Sequence, residues 1–271
     1  MEQNILRKVQ LTQLEIAKEI RRVCEENDIS YFLADGTMLG AVRHNGFIPW
    51  DDDMDIGMLR AEYEKFCRIA PEKLGKDYVL QTWYIDPNYC LPFAKVRKRN
   101  TLYVEGKSSQ LKENGFFVDI FPFDYVPEEA EKRIPLAQKQ IQIFRMRLMK
   151  CRYTPWREAD KINWKKRLGY LYYQLRAVFA DQMKLAQEFD ALATQTPKTN
   201  AVWEHNGGAV PICYPESLFT ELVPYTFENE AFMGVKEYDT YLRTTYGDYM
   251  QLPPEDQRGN QHVITQLDFG E

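Results

Sequence analysis

The sequence predicts an α+β fold in which strands and helices mix early and a helical region follows. Three observations predict it. Helical and strand periodicities alternate through the first 127 residues, the stretch from 128 to 195 carries helical patterns alone, and no repeat interrupts either. The 271 residues, 44% hydrophobic and 14% aromatic, suffice for one core with an accessory part. We divide the chain into 1–127, a catalytic core, and 128–271, a helical and loop-rich region that completes the fold and shapes an acceptor site.

The elements follow in order. Ile5, Leu6, Val9, Leu14, Ile16, Ile20 and Val23 keep helical spacing, so residues 3–27 form an amphipathic helix that Asn27 and Asp28 end. Tyr31 to Ala34 is a short buried strand. Gly36 ends it, and Thr37 caps a helix from Met38 to His44. Asn45-Gly46 is a turn. A strand runs from about Asp53 to Met58 and a helix from Arg60 to about Ala70. Further strands are expected at Tyr78–Tyr84, Leu91–Val96, Thr101–Val104 and Phe116–Phe121, separated by Asp86-Pro87-Asn88, Arg99-Asn100 and Glu113-Asn114-Gly115. The helices after 128 break near Pro155. From 196 the chain reads as loop-rich, with Gly207-Gly208 and Pro253-Pro254.

Charge and cysteine usage narrow the function. A net charge of -5 argues against broad nucleic-acid binding. Cys24, Cys67, Cys90, Cys151 and Cys213 are scattered, odd in number and without CxxC spacing, which suits reduced thiols in the cytoplasm rather than disulfides or zinc. Residues 1–18 hold no signal-peptide run, and no twenty-residue apolar span occurs. A membrane-bound substrate would therefore be met at the inner face. The basic stretches Arg145–Arg152 and Lys161–Arg167 read as a solvated face, with docking on anionic lipid or a polyanionic glycan as the alternative.

The chemistry concentrates in Trp50-Asp51-Asp52-Asp53-Met54-Asp55-Ile56, four carboxylates within five positions flanked by apolar residues. In extended backbone Asp51, Asp53 and Asp55 share one face and Asp52 takes the other. Acids this close repel one another unless a cation lies between them. Mg²⁺ is the natural counter-ion, with Mn²⁺ as the alternative, and carboxylate-held Mg²⁺ commonly carries phosphates. An EF-hand reading fails. Asp51, Asp53, Asp55 and Glu62 occupy loop positions 1, 3, 5 and 12, but position 6 is Ile56, where the turn needs glycine.

Three further features converge on phosphoryl transfer. Asp35-Gly36-Thr37 stands at a strand-to-helix junction, where glycine admits a ligand and the helix N–H groups face an anion; Arg43 lies further along the same helix. A capped helix also explains Gly36 and Thr37. Asp119 interrupts the apolar run Phe116-Phe117-Val118-Asp119-Ile120-Phe121, and a buried charge there needs a partner. It is either the third carboxylate of the site, as ligand or base, or half of a salt bridge. Lys95, Arg97 and Arg99 fall on one strand face, suited to a diphosphate or to protecting an edge strand. Trp50, Trp83, Tyr84, Tyr89 and Trp203 are candidates for a cage around a quaternary ammonium, or for core packing. Catalytic Ser-His-Asp and Cys-His arrangements, a Walker loop and GxGxxG are absent.

These residues, in this order, resemble the LicD family of phosphotransferases, which also includes the fukutin-related proteins of animals. The likeness runs through Tyr31 to His44 and Gly46 to Met58. It resumes at Ala94-Lys95-Val96-Arg97, Phe117 to Pro122, Tyr246 to Met250 and Leu252-Pro253-Pro254. The resemblance implies a nucleotidyltransferase-type fold with a small mixed sheet flanked by helices. It implies Gly36 and Thr37 as the phosphate loop, Asp53 and Asp55 as the metal pair, and Asp119 as the third carboxylate. It also implies CDP-choline or a related CDP-activated donor, and a glycan or lipid-linked glycan acceptor such as a teichoic-acid precursor. Phosphoethanolamine, glycerol or polyol phosphate, or a nucleotide are the alternative cargoes. Asp35 departs from the expected pattern and would touch the metal or the donor's cationic group. Arg43, Lys95, Arg97 and Trp50 complete the substrate-binding set, and peripheral membrane contact stays open.

Overall fold

The computed structural model describes residues 2–105, 111–151, 164–206, 209–259 and 264–270. The break expected near Pro155, Gly207-Gly208 and His262 lie outside these residues. Helix α1 (Gln3–Glu26) forms as the periodicity predicts, and Asn27 with Asp28 (φ 50°) ends it. Its buried stripe of Val9, Ile16, Ile20 and Val23 packs on the sheet. Two amides interrupt that stripe. Gln10 donates to the carbonyls of Asp51 (2.9 Å) and Ile48 (3.3 Å), and Gln13 to that of Asp52 (2.9 Å). The first helix thus holds the acidic segment by its backbone.

Strand β1 (Phe32–Leu33) leads into α2 (Asp35–His44), then β2 (Asp55–Leu59) and α3 (Arg60–Lys73). Strands β3 (Tyr78–Gln81), β4 (Ala94–Lys98), β5 (Leu102–Glu105) and β6 (Phe117–Tyr125) follow. The helical region is α4 (Ala130–Lys150), α5 (Trp164–Val178) and α6 (Gln182–Thr194). The part read as loop-rich is more ordered than expected. It holds β7 (Ala201–Glu204), β8 (Cys213–Pro215), β9 (Leu222–Phe227), β10 (Glu230–Val235), α7 (Tyr238–Tyr246) and β11 (Ile264–Asp268). These strands are short, so their alternation hides among turn residues. The β9–β10 turn, Glu228-Asn229, has both residues at positive φ, as two-residue hairpins of this hand require.

The main sheet is mixed, which with the flanking helices makes the fold α+β as expected. Its order is β1-β2-β6-β4-β3, with β2 and β6 parallel and the other neighbours antiparallel. The long β6 changes partner along one edge. Its first half pairs with β4, and its second half with β7, which carries β8. Pro122 falls in the gap between those partners, where its missing N–H leaves no ladder bond unmade. Strand β4, the basic one, is therefore central and not a protected edge.

Two features of the fold bear on stability. Cys90 and Cys151, distant in sequence, meet as hydrogen-bonded free thiols in the core beneath α4 and α6. His205, just beyond β7, is 2% exposed among the rings of Trp203 and Phe189, and burial lowers its pKa from 6.5 to about 4. The folded imidazole resists the proton that the unfolded one accepts. Its contribution is present above about pH 6.5 and fades as pH falls towards 4, by about 3 kcal/mol. Urea melts across that range are expected to show His205→Phe losing less stability on acidification than the parent.

Candidate active site

The acids converge where two chain segments are stitched together at Asp55. The Asp55 N–H donates to Thr37 Oγ1 (2.8 Å), and the Ala34 N–H donates to the Asp55 carbonyl (3.1 Å). Thr37 was expected to cap α2. Instead the helix starts three residues earlier than expected, at Asp35 with φ 41°, and the Thr37 hydroxyl anchors β2. On the other side, the Asp119 N–H donates to the Met54 carbonyl (3.0 Å), and Asp55 and Asp119 are direct partners in the parallel β2–β6 pair. Neighbouring strands lie about 4.8 Å apart, so the two carboxylates leave adjacent backbones. Asp52 points the other way, as alternation predicts. It is fully buried, and its Oδ2 accepts from the Tyr103 hydroxyl (3.2 Å).

Mutual repulsion couples the acids of the cluster. Asp55 lies well above the usual carboxylate range, first because it is buried and then because Asp53, Asp119, Asp35 and Asp51 repel its charge. Asp119 is pushed up to about 6 by burial, with Glu105 and Asp53 adding and Lys95 opposing. The Lys95 ammonium sits 2.9 Å from Asp119 Oδ1 and 3.2 Å from Oδ2, but only the second contact has hydrogen-bond geometry. Asp119 Oδ1 is thus buried beside a charge with no hydrogen bond of its own.

Other predicted residues divide between the cluster and the scaffold. Gly36 abuts the acids; a Cβ there would lie 3.0 Å from Asp51 Oδ2. Gly36, Arg43, Trp50 and Asp51 line a cavity of about 400 Å³ with Tyr246, Tyr249 and Pro253-Pro254, the tail segment expected to shape the acceptor side. Arg43 donates to the Tyr249 carbonyl (2.6 Å), and the Arg258 guanidinium lies 5.3 Å from the Trp50 ring centroid. The basic stripe is engaged within the protein. Lys95 serves Asp119 and Glu105, Arg97 donates to Gln81 Oε1 (2.5 Å) and the Gly115 carbonyl (2.7 Å), and Arg99 pairs with Glu113. Of the five aromatics considered for a cage, Trp50 lines this cavity, where it is joined by Tyr246 and Tyr249. Trp83 and Tyr84 line a separate one with Arg60 and Asp190, while Tyr89 and Trp203 are buried.

Sequence reading missed Glu204. It closes β7, hydrogen-bonds the Asp35 carboxyl and lies well above its usual range through burial and Asp35, while Asp35 is itself raised. The contact between these two half-buried carboxyls raises the pKa of Glu204, whereas for Asp35 it opposes the rise that burial causes. The signal was present in Ala201-Val202-Trp203-Glu204-His205, a charge ending a buried run like that around Asp119. The Asp35 N–H donates to the Tyr241 hydroxyl (3.0 Å), so α7 also braces this corner.

The donor set is entirely oxygen, mutually repelling and supplied with one orphaned buried acceptor, which fits a hard divalent cation. Among the described residues no three His, Cys, Asp or Glu side chains are already closed around an ion-sized position.

With that geometry in hand, comparison with known proteins gives its class. Residues 28–155 match the family described as LicD/FKTN/FKRP, nucleotidyltransferase domain. Lipopolysaccharide cholinephosphotransferase LicD of Haemophilus influenzae is 32% identical over 266 residues, spanning 97% of this chain and 98% of that protein. The chain belongs to the LicD family. An uncharacterized Rickettsia prowazekii protein, RP689, is 34% identical over 97 residues, 35% of this chain and 36% of its own. Ribitol 5-phosphate transferase FKRP of human and mouse is 43% identical over 44 residues, 16% of this chain and 9% of each of theirs.

Proposed function

We propose that this chain transfers phosphocholine from CDP-choline to a hydroxyl of a cell-surface glycan or teichoic-acid precursor, releasing CMP. The register of Asp55 against Asp119, beside the Gly36–Asp51 cavity, carries this reading. Full-length likeness to a cholinephosphotransferase supports the cargo. Asp53, Asp55 and Asp119 would hold Mg²⁺ or Mn²⁺. Such an ion, when bound, offsets the charge of a donor diphosphate and of the departing CMP.

The chain's own groups do the rest. At the start of α2 the Asp35 and Met38 N–H groups are already bonded, so a phosphate would meet those of Gly36 and Thr37, and Gly36 lets it approach. Trp50, Tyr246 and Tyr249 line a space into which a quaternary ammonium fits by cation–π attraction, with Asp51 as counter-charge. The acceptor oxygen forms the new P–O bond as the bond to CMP breaks, and its proton passes to the Asp119 carboxylate. Lys95 steadies that carboxylate while it is charged. Asp35, in contact with Glu204 and bonded through its N–H to the Tyr241 hydroxyl, holds the start of α2 in place.

The short match to a ribitol 5-phosphate transferase favours polyol phosphate as the second reading. Placement in the cytoplasm, at the inner face of the membrane, is supported by five free cysteines. A donor screen separates the cargoes. CMP release is expected from CDP-choline with Mg²⁺, at least about tenfold faster than from CDP-ethanolamine or CDP-glycerol, because choline's quaternary ammonium is weakly hydrated and suits an aromatic wall, whereas the ethanolamine ammonium needs hydrogen-bond acceptors and glycerol carries no cation. Equal or faster turnover of CDP-glycerol would transfer the assignment to a polyol phosphate.

A further inference from the structure

Helix α5 displays its large apolar side chains to the outside. Trp164, Leu168, Leu171, Tyr172, Leu175 and Val178 are all exposed, and Phe179 just beyond them is 96% exposed. At the α-helical period they form one continuous stripe about 120° wide. The opposite side attaches the helix to the protein. There Ala177 and Tyr173 pack into the core shared by α4 and α6, and the Arg145 guanidinium lies over the Tyr173 ring. Among the described residues nothing covers the stripe. Scattered exposed apolar residues are ordinary, but a contiguous stripe on one helix marks an interaction surface.

Charge selects the partner. Between residues 161 and 180 the sequence carries Lys161, Lys165, Lys166, Arg167 and Arg176 and no Asp or Glu, although the whole chain is at -5. Helical spacing places Arg167 on one margin of the stripe and Arg176 on the other, and both are exposed. Arg176 lies against Tyr172, donating to its hydroxyl at 3.1 Å. We infer that α5 is a membrane-surface helix. It lies flat on an anionic bilayer, with its Trp-Leu-Phe stripe among the acyl chains and its marginal arginines at the headgroup phosphates.

Two physical arguments favour this occupant. An anionic lipid surface supplies an apolar interior and negative charge at its border, the two features the helix presents together. A second copy meeting α5 across a two-fold axis would set these arginine margins against each other. The helix lies on the bilayer and does not span it. Fifteen residues rise only about 22 Å, and no helix among the described residues is long and apolar enough to cross. The inference does not depend on which phospho-group the active site moves.

Flotation of the full-length protein with lipid vesicles tests it. Binding to vesicles of phosphatidylcholine and phosphatidylglycerol in equal parts is expected, at least about tenfold tighter than to phosphatidylcholine alone. The double variant Leu171→Asp/Leu175→Asp is expected to abolish binding, and Arg167→Ala/Arg176→Ala to remove the preference for the anionic lipid. Tryptophan fluorescence should shift to the blue on binding, and Trp164→Phe should remove most of that shift. These side chains are exposed, so each variant is expected to melt like the parent. The inference is overturned if neither vesicle binds, or if the leucine double variant still binds. It is also overturned if the parent forms a dimer that this variant dissolves, which would give the stripe to a second copy.

Discussion

Asp55→Asn is expected to reduce CMP release at least about a hundredfold while raising the melting temperature of the metal-free protein. The two effects share one cause. Asp55 is buried and repelled by Asp53, Asp119, Asp35 and Asp51, so its charge disfavours the folded state wherever no cation offsets it. A neutral amide of the same shape removes that repulsion, and with it the charge on which ion and donor depend. Sites that trade stability for activity behave in this way. Asp53→Asn is expected to lose activity similarly. Asp119→Asn should lose activity too, but without the same gain in stability. Its carboxylate is the nearest charged partner of the buried Lys95 ammonium, which would then keep Glu105 at 3.5 Å and the face of the Phe117 ring. Calorimetry with a chelator, repeated with excess Mg²⁺, checks the stability half, and a CMP assay checks the other. Near-normal turnover in all three variants would remove the proposed site. A lower melting temperature for metal-free Asp55→Asn would remove the electrostatic account of it.

Arg60→Met is expected to destabilise the protein by about 3–5 kcal/mol and leave the chemistry of the folded fraction intact. Arg60 holds Asp124 through two bonds, Nε to Oδ1 at 2.5 Å and Nη2 to Oδ2 at 2.8 Å. The Asp124 side chain is only 1% exposed, so removing the guanidinium strands a charge in the core. Asp190, 3.9 Å from the same guanidinium, loses its cation as well. For a chain of this size the loss corresponds to a drop in melting temperature on the order of ten degrees. Activity per folded molecule should persist. The pair sits past Leu59 and Phe123, at the far end of β2 and β6 from Asp55 and Asp119, roughly 16 Å along the strands. Arg60→Met/Asp124→Leu should recover much of the stability, because the pair's main cost appears when only one partner is removed. Urea titration of the three proteins measures this. A single variant as stable as the parent would mean that Asp124 finds water or another cation.

The two acids of β6 show how far each kind of reasoning reaches. Asp119 stood out in sequence as a charge in an apolar run, whereas Asp124 lies past the strand expected at Phe116–Phe121 and drew no reading, yet both are buried beside a cation. Only the register separates them. Asp119 faces Asp55, whereas Asp124 lies beyond the last β2–β6 partners. The same limit explains Arg97, which alternation grouped with Lys95 on one face but which is committed to Gln81 and Gly115. Alternation tells which side of a strand a residue occupies, not what waits there. Gln10, Gln13 and Glu204 were visible as polar breaks in apolar patterns. Their partners lie tens to well over a hundred residues away, so nothing local marked them as supports of the acidic segment or of Asp35.

Periodicity and residue type were enough for the long helices, the central strands and the acidic segment, and the resemblance of its motifs pointed to the family. Each depends on neighbours within a few positions, where the 3.6- and 2-residue repeats act directly. Only the folded chain decided which acids meet, which cations they consume, that the last seventy residues add strands to the same sheet, and that α5 wears its apolar side outward. Those outcomes turn on contacts between distant segments. The free energy of a charge or an apolar stripe is set by what closes over it, and the chain writes no local mark of that.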